Sequence, residues 1–129
     1  VQQMMPPGVD VRIRCTSDER LGSVITVGLG GIMADAIGDE ESRLAPVSAA
    51  AAANLVQASR LGAALTSAGI DPASLVDTIT RVSHLAFDHP AIGELDINPA
   101  IVSDGACAVV DALVTVVTAP TETAMRRLV

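Results

Sequence analysis

Toward the end of the chain, Ser103-Asp104-Gly105 separates two mostly apolar stretches, residues 93–102 and 106–117. An Asp-Gly pair between such arms is among the strongest short-range signals for a β-hairpin. In the first arm, Leu95, Ile97 and Ile101 occupy one face, while Glu94, Asp96 and Asn98 occupy the other. Folding the arms about Asp104-Gly105 pairs Ser103 with Ala106 and sets Asn98 opposite Asp111. Directly opposed residues share a face, with Cβ atoms roughly 5 Å apart. Asp96, Asn98 and Asp111 are therefore expected to converge on one face from two adjacent strands. Carboxylate and carboxamide oxygens suit a hard cation such as Mg²⁺, which takes few protein ligands and keeps the rest of its shell for water and phosphate oxygens. The competing reading is an ordinary solvated hairpin face. Asp111 weighs against it, because it interrupts the apolar run Ala108-Val109-Val110 and Ala112-Leu113-Val114.

The rest of the chain supplies what such a hairpin packs against. After Pro6-Pro7-Gly8, Val9, Val11, Ile13 and Cys15 alternate with Asp10, Arg12 and Arg14, the period of a half-exposed strand. A turn follows over residues 18–22, then a strand over 24–27 broken by Gly28-Leu29-Gly30-Gly31. Residues 32–37 are ambiguous between strand and helix, and Asp39-Glu40-Glu41 reads as an acidic loop. Ser48 suits the N-cap of one helix running to about Thr66, with a stripe of Leu55, Ala58, Gly62 and Leu65, ended by Gly69. Asp71-Pro72 starts a second helix with a stripe of Leu75, Ile79, Val82 and Ala86, which breaks at His89-Pro90. The order strand, strand, helix, helix, strand, strand predicts an α+β fold, a mostly antiparallel sheet with helices packed on one face. Residues 1–117 are expected to form the domain and 118–129 a tail.

Composition narrows the function. The 129 residues carry a net charge of −7, no Lys, and eight Arg that form no run. Nucleic acid is a poor partner for such a surface. A polyphosphate remains a good one if a metal ion lies between. Phe87 is the only aromatic residue, so the core must come from Val, Ile, Leu and Ala. Cys15 and Cys107 have neither disulfide-framework nor zinc-site spacing and read as small hydrophobes. No apolar run reaches the roughly 18 residues of a membrane span, which makes the cytoplasm the default location. The opening Val1-Gln2-Gln3-Met4-Met5 reads like the inside of a strand and suggests a piece of a longer protein.

Three blocks, in order, carry a resemblance. Glu94-Leu95-Asp96-Ile97-Asn98-Pro99 with Val109-Val110-Asp111-Ala112 looks like the closing motif of ADP-forming acyl-CoA synthetases and is similar to the matching hairpin of the succinyl-CoA synthetase β subunit. The segment from Leu21 to Ile32, with Arg43-Leu44-Ala45-Pro46 after it, resembles that family's glycine loop, whose backbone N–H groups approach phosphate oxygens. Residues 1–4 with Gly8-Val9-Asp10-Val11 resemble the strand joining the two lobes of an ATP-grasp domain. The resemblance implies the C-terminal lobe of an ATP-grasp domain, with Mg²⁺ on Asn98 and Asp111 and phosphates on Gly30 and Gly31. It implies adenine at the backbone of Gln2, Gln3 and Met4, and catalytic roles for Asp96, facing a phosphohistidine, and Asp35. Ser23, Arg12 and Arg14 depart from the family pattern, and His84 and His89 are expected to be structural.

The implied activity interconverts acyl-CoA, ADP and phosphate with carboxylate, CoA and ATP (or GTP). The implied partners are an N-terminal ATP-grasp lobe, a CoA-binding domain and the acyl-CoA substrate. The alternative is a degenerate synthetase-like regulatory domain of a protein lysine acetyltransferase that senses acyl-CoA or nucleotide. A third reading is an interaction domain with no metal dependence.

Overall fold

A computed structural model describes residues 8–31, 38 and 40–117. The expectations for Gln2, Gln3, Met4, Asp35, residues 32–37 and the tail fall outside these residues. In chain order the elements are β1 (Val9–Asp18), β2 (Gly22–Leu29), β3 (Glu40–Leu44), α1 (Ala49–Ala58), α2 (Arg60–Ala68), α3 (Ala73–Asp88), β4 (Ile92–Ser103), β5 (Ala106–Val109) and β6 (Ala112–Val116). The strands form one antiparallel sheet in the order β3-β2-β1-β4-β5, with β6 also paired to β4. Helices pack on one face of it, as the α+β reading anticipated.

The two periodicities decide which residues enter the core. Val11, Ile13 and Cys15 of β1, Ile25 and Val27 of β2, and Leu95, Ile97, Ala100 and Val102 of β4 are buried toward the helices. The α3 stripe, Leu75, Ile79, Val82 and Ala86, meets them as its spacing predicted. Pro72, not Asp71, is the N-cap of α3, and Asp71 Oδ1, one residue further out, accepts from the N–H of Ala73 at 2.9 Å. Ser48 Oγ caps α1 by accepting from Ala51 N at 3.1 Å. Gly69, at φ 70°, closes α2 in the left-handed conformation that glycine permits.

Two elements differ in kind from the sequence reading, while β2 runs through Gly28 to Leu29 and the last hairpin arm is split into β5 and β6. The expected single helix over 48–66 is two helices, broken at Ser59, whose ψ of 167° is extended. At the break the chain turns sharply. A Cβ on Gly62 would sit 2.8 Å from the Val56 carbonyl oxygen, so the close return needs glycine there. The apolar phase shifts with it, burying Val56 and Leu61 and leaving Ala58 exposed. The second difference is the expected acidic loop. Glu40 and Glu41 belong to edge strand β3, opposite Gly28 and Val27.

Candidate functional site

The face of the sheet away from the helices carries the polar alternates of β1 and β4. On β4, Asp96 and Asn98 alternate with the buried Leu95 and Ile97. Pro99 has no N–H to give a ladder, and the alternation steps by one residue there. Ile13 pairs with Ile97 and Val11 with Ala100, so Asn98 and Pro99 together oppose Arg12 in a β-bulge. The other arm steps at the same level. Its ladder stops at Val109 and resumes at Ala112 without losing register. Across this gap Asn98 N donates to Asp111 O at 3.1 Å, and Val110 N donates to Pro99 O at 3.1 Å. The sequence arithmetic that set Asn98 opposite Asp111 therefore holds through an irregularity it did not foresee.

The glycine loop is stitched to the same place. Gly30 N donates to Asp10 O at 2.9 Å. Gly31, at φ 83°, donates its N–H to Asn98 Oδ1 at 2.8 Å. Residues 67 positions apart are thus joined by one hydrogen bond. Of the expected site residues, Gly30, Gly31, Asn98 and the Asp111 backbone come together, with Asp96 two residues from Asn98 on the same strand.

Asp96 is engaged differently from Asn98. Arg12 Nε donates to Asp96 Oδ1 at 3.0 Å and Arg12 Nη2 to Oδ2 at 2.8 Å, a two-toothed grip. Arg12 Nη1 lies 3.7 Å from Glu40 Oε1, and Arg14 Nη2 donates to Glu40 Oε2 at 3.2 Å. Gly28 stands between Arg12 and Glu40 in the pairing, and its missing side chain leaves the lane open. Sequence reasoning placed Arg12 and Arg14 on the polar face of a strand, as departures from the family pattern, and missed Glu40 as their partner. The available signal was two Arg on the polar side of β1 with a glycine on the next strand. It was hidden because Glu40 read as loop.

The donor set fits a hard cation. Asn98 Oδ1 accepts one hydrogen bond and, as a carbonyl oxygen, keeps a second lone pair. The Asp111 side chain is exposed and makes no hydrogen bond or ion pair among the described residues. Those residues contain no group of three or more His, Cys, Asp or Glu able to cage a metal. Such a pair needs outside oxygens to complete a coordination shell. His84 and His89 stand apart from this constellation. His84 Nδ1 is 2.8 Å from Thr80 O on α3, and His89 O accepts from Ile92 N at 2.9 Å beyond it.

Residues 1–116 match the ATP-grasp domain family. The chain belongs to that family. This ATP-grasp domain is 32% identical over 115 residues to acetate–CoA ligase (ADP-forming) I of Archaeoglobus fulgidus, which covers 86% of this chain and 17% of the relative. It is 29% identical over 116 residues to acetate–CoA ligase (ADP-forming) I subunit beta of Pyrococcus furiosus, 87% of this chain and 50% of that one. Among solved structures, it resembles the apo form of the dinucleotide forming acetyl-coenzyme A synthetase 1 of Ca. Korarchaeum cryptofilum, with a TM-score of 0.82 and 28% identity over 89% of this chain and 57% of that one. A complex of the same synthetase with coenzyme A and Mg-AMPPCP gives a TM-score of 0.78 and 26% identity over 87% of this chain and 55% of that one. The chain spans about half the length of the β subunit and of the synthetase chains, and less of the longer ligase. The antiparallel sheet with helices on one face is the ATP-grasp fold shared with these structures. No helix among the described residues is long and apolar enough to cross a membrane.

Proposed function

We propose that this ATP-grasp domain supplies half of the Mg-nucleotide site of an ADP-forming acyl-CoA synthetase, interconverting acyl-CoA, ADP and phosphate with carboxylate, CoA and ATP. The observation that carries the reading is the 2.8 Å hydrogen bond from Gly31 N to Asn98 Oδ1, which joins a glycine turn to a carboxamide–carboxylate hairpin. In this reading Asn98 and Asp111 hold Mg²⁺, and the N–H groups around Gly30 and Gly31 face the phosphates. Mg²⁺ held there would supply positive charge against the negative charge that develops on the phosphates in transfer. Asp96 faces the phosphohistidine that carries the phosphoryl group. Asp35 and the backbone of Gln2, Gln3 and Met4 complete the catalytic and adenine contacts. An N-terminal ATP-grasp lobe and a CoA-binding domain supply the rest, in the cytoplasm, with ATP or GTP as nucleotide. One relative's structure holds coenzyme A and Mg-AMPPCP with its phosphohistidine segment pointing towards the nucleotide binding site, which supports this assignment. The named relatives are ligases, so the acetyltransferase-linked sensing alternative has no support among them.

The test is calorimetric titration of Mg-ATP into the full-length protein and its Asn98→Ala/Asp111→Ala double variant. The wild type is expected to bind only with Mg²⁺, and the double variant to lose binding while keeping its circular dichroism. Equal affinity in both proteins would remove the metal assignment.

A further inference from the structure

We propose that Arg12 decides which oxygen ligands this domain offers a divalent cation, by withholding Asp96 from Asn98 and Asp111; the inference rests on the nucleotide–metal reading above. Asp96 and Asn98 are two apart on one strand and so share a face. A carboxylate in that position is the natural third ligand beside a carboxamide and a second carboxylate. Both of its oxygens are instead taken by Arg12, at 3.0 and 2.8 Å. The pair is well shielded, with side-chain exposures of 12% for Arg12 and 18% for Asp96, so water competes weakly for either partner. Arg12 is held from behind as well, because Glu40 lies 3.7 Å from its Nη1 and is tied in turn to Arg14 at 3.2 Å. A metal that recruited Asp96 would break two charge-assisted hydrogen bonds and leave a guanidinium part-buried beside a dication.

One carboxylate and one carboxamide then remain for the ion. That is too few for tight binding of metal alone, and most of the shell is left for phosphate oxygens and water. Arg12 is thus a positioning residue that makes cation binding depend on nucleotide.

The experiment titrates Mn²⁺ without nucleotide into the full chain and counts free ion by electron paramagnetic resonance. Wild type is expected to bind weakly, and Asp96→Asn to match it. Arg12→Met is expected to bind about tenfold more tightly or better, the scale on which groups behind metal ligands act. Adding Asp96→Asn to Arg12→Met should return the affinity to that of wild type, which isolates the pair. If Arg12→Met does not fold, Arg12→Gln carries the same expectation. The inference is overturned if Asp96→Asn alone weakens Mn²⁺ binding about tenfold, or if a folded Arg12 variant binds no more tightly than wild type. A wild type that fails to bind Mg-ATP would refute the proposed function, while the Mn²⁺ series would still decide the role of Arg12.

Discussion

Replacing Gly30 with alanine tests how closely the glycine loop must lie against the sheet. The new Cβ would fall 2.5 Å from Val11 C, 2.6 Å from Val11 O and 2.9 Å from Arg12 N. All three are backbone atoms of β1, which is held by ladders to β2 on one side and β4 on the other. They cannot yield as a flexible side chain would, so the loop must retreat. Retreat breaks the 2.9 Å bond from Gly30 N to Asp10 O and the 2.8 Å bond from Gly31 N to Asn98 Oδ1. Overpacking costs about 1–3 kcal/mol. Two hydrogen bonds add about 0.5 kcal/mol each, the low end because this half-exposed loop can turn to water. The sum is about 2–4 kcal/mol. At about 4 °C per kcal/mol for a domain of this size, Tm falls by about 8–16 °C. Urea unfolding followed by circular dichroism measures it, with Gly22→Ala as control. A Cβ on Gly22 meets nothing within 4 Å, and only its φ of 84° carries a cost, about 1–2 kcal/mol. A Gly30→Ala protein within about 0.5 kcal/mol of wild type, or more stable than Gly22→Ala, would refute the close-approach reasoning.

Ile79 is fully buried and Phe87 is 54% exposed, so the sole aromatic residue should matter less than an aliphatic one. Ile79→Ala is expected to cost about 2–5 kcal/mol and Phe87→Ser no more than about 0.5 kcal/mol, both read from urea midpoints. Burial pushes the Cys15 thiol up from 9.0 to about 11. Between those values the unfolded chain releases a proton that the folded chain keeps, so stability falls as pH rises. The contribution is whole below pH 9 and is lost as pH climbs towards about 11. Cys15→Ala should flatten that alkaline decline in urea midpoints. Iodoacetamide at neutral pH should modify Cys15 only after unfolding.

The sheet was legible in the sequence where a polar residue alternated with an apolar one. Val9 to Cys15 and Glu94 to Ile97 show this, as does the turn at Asp104-Gly105, where only Gly105 needs a positive φ, of 77°. The α3 stripe was legible for the same reason, since its buried residues are all at helical spacing. Failures came where a distant partner overrode a local preference. Glu40 and Glu41 are poor strand formers, yet Glu40 is drawn into β3, where Arg12 reaches it over Gly28 and Arg14 reaches it from its place opposite Thr26. The break at Ser59 leaves no mark in an alanine-rich run, because what permits it is the tight contact of Gly62 with Val56. At the site, spacing set Asn98 opposite Asp111 correctly. It could not show that Asp96, on the same face, is already claimed by an arginine 84 positions away in the chain.

The hairpin tip lies at a useful distance from all this chemistry. Ser103, where the Asp104-Gly105 turn begins, lies five positions beyond Asn98 on β4, about 17 Å along the strand. The pairs Ser103–Ala106 to Ala100–Val109 lock the register between tip and site. Extra residues placed between Asp104 and Gly105 lengthen the loop at small entropic cost and leave those pairs aligned. The tip is therefore a handle on which a fluorophore or affinity tag could ride and report on the domain without displacing Asn98 or Asp111.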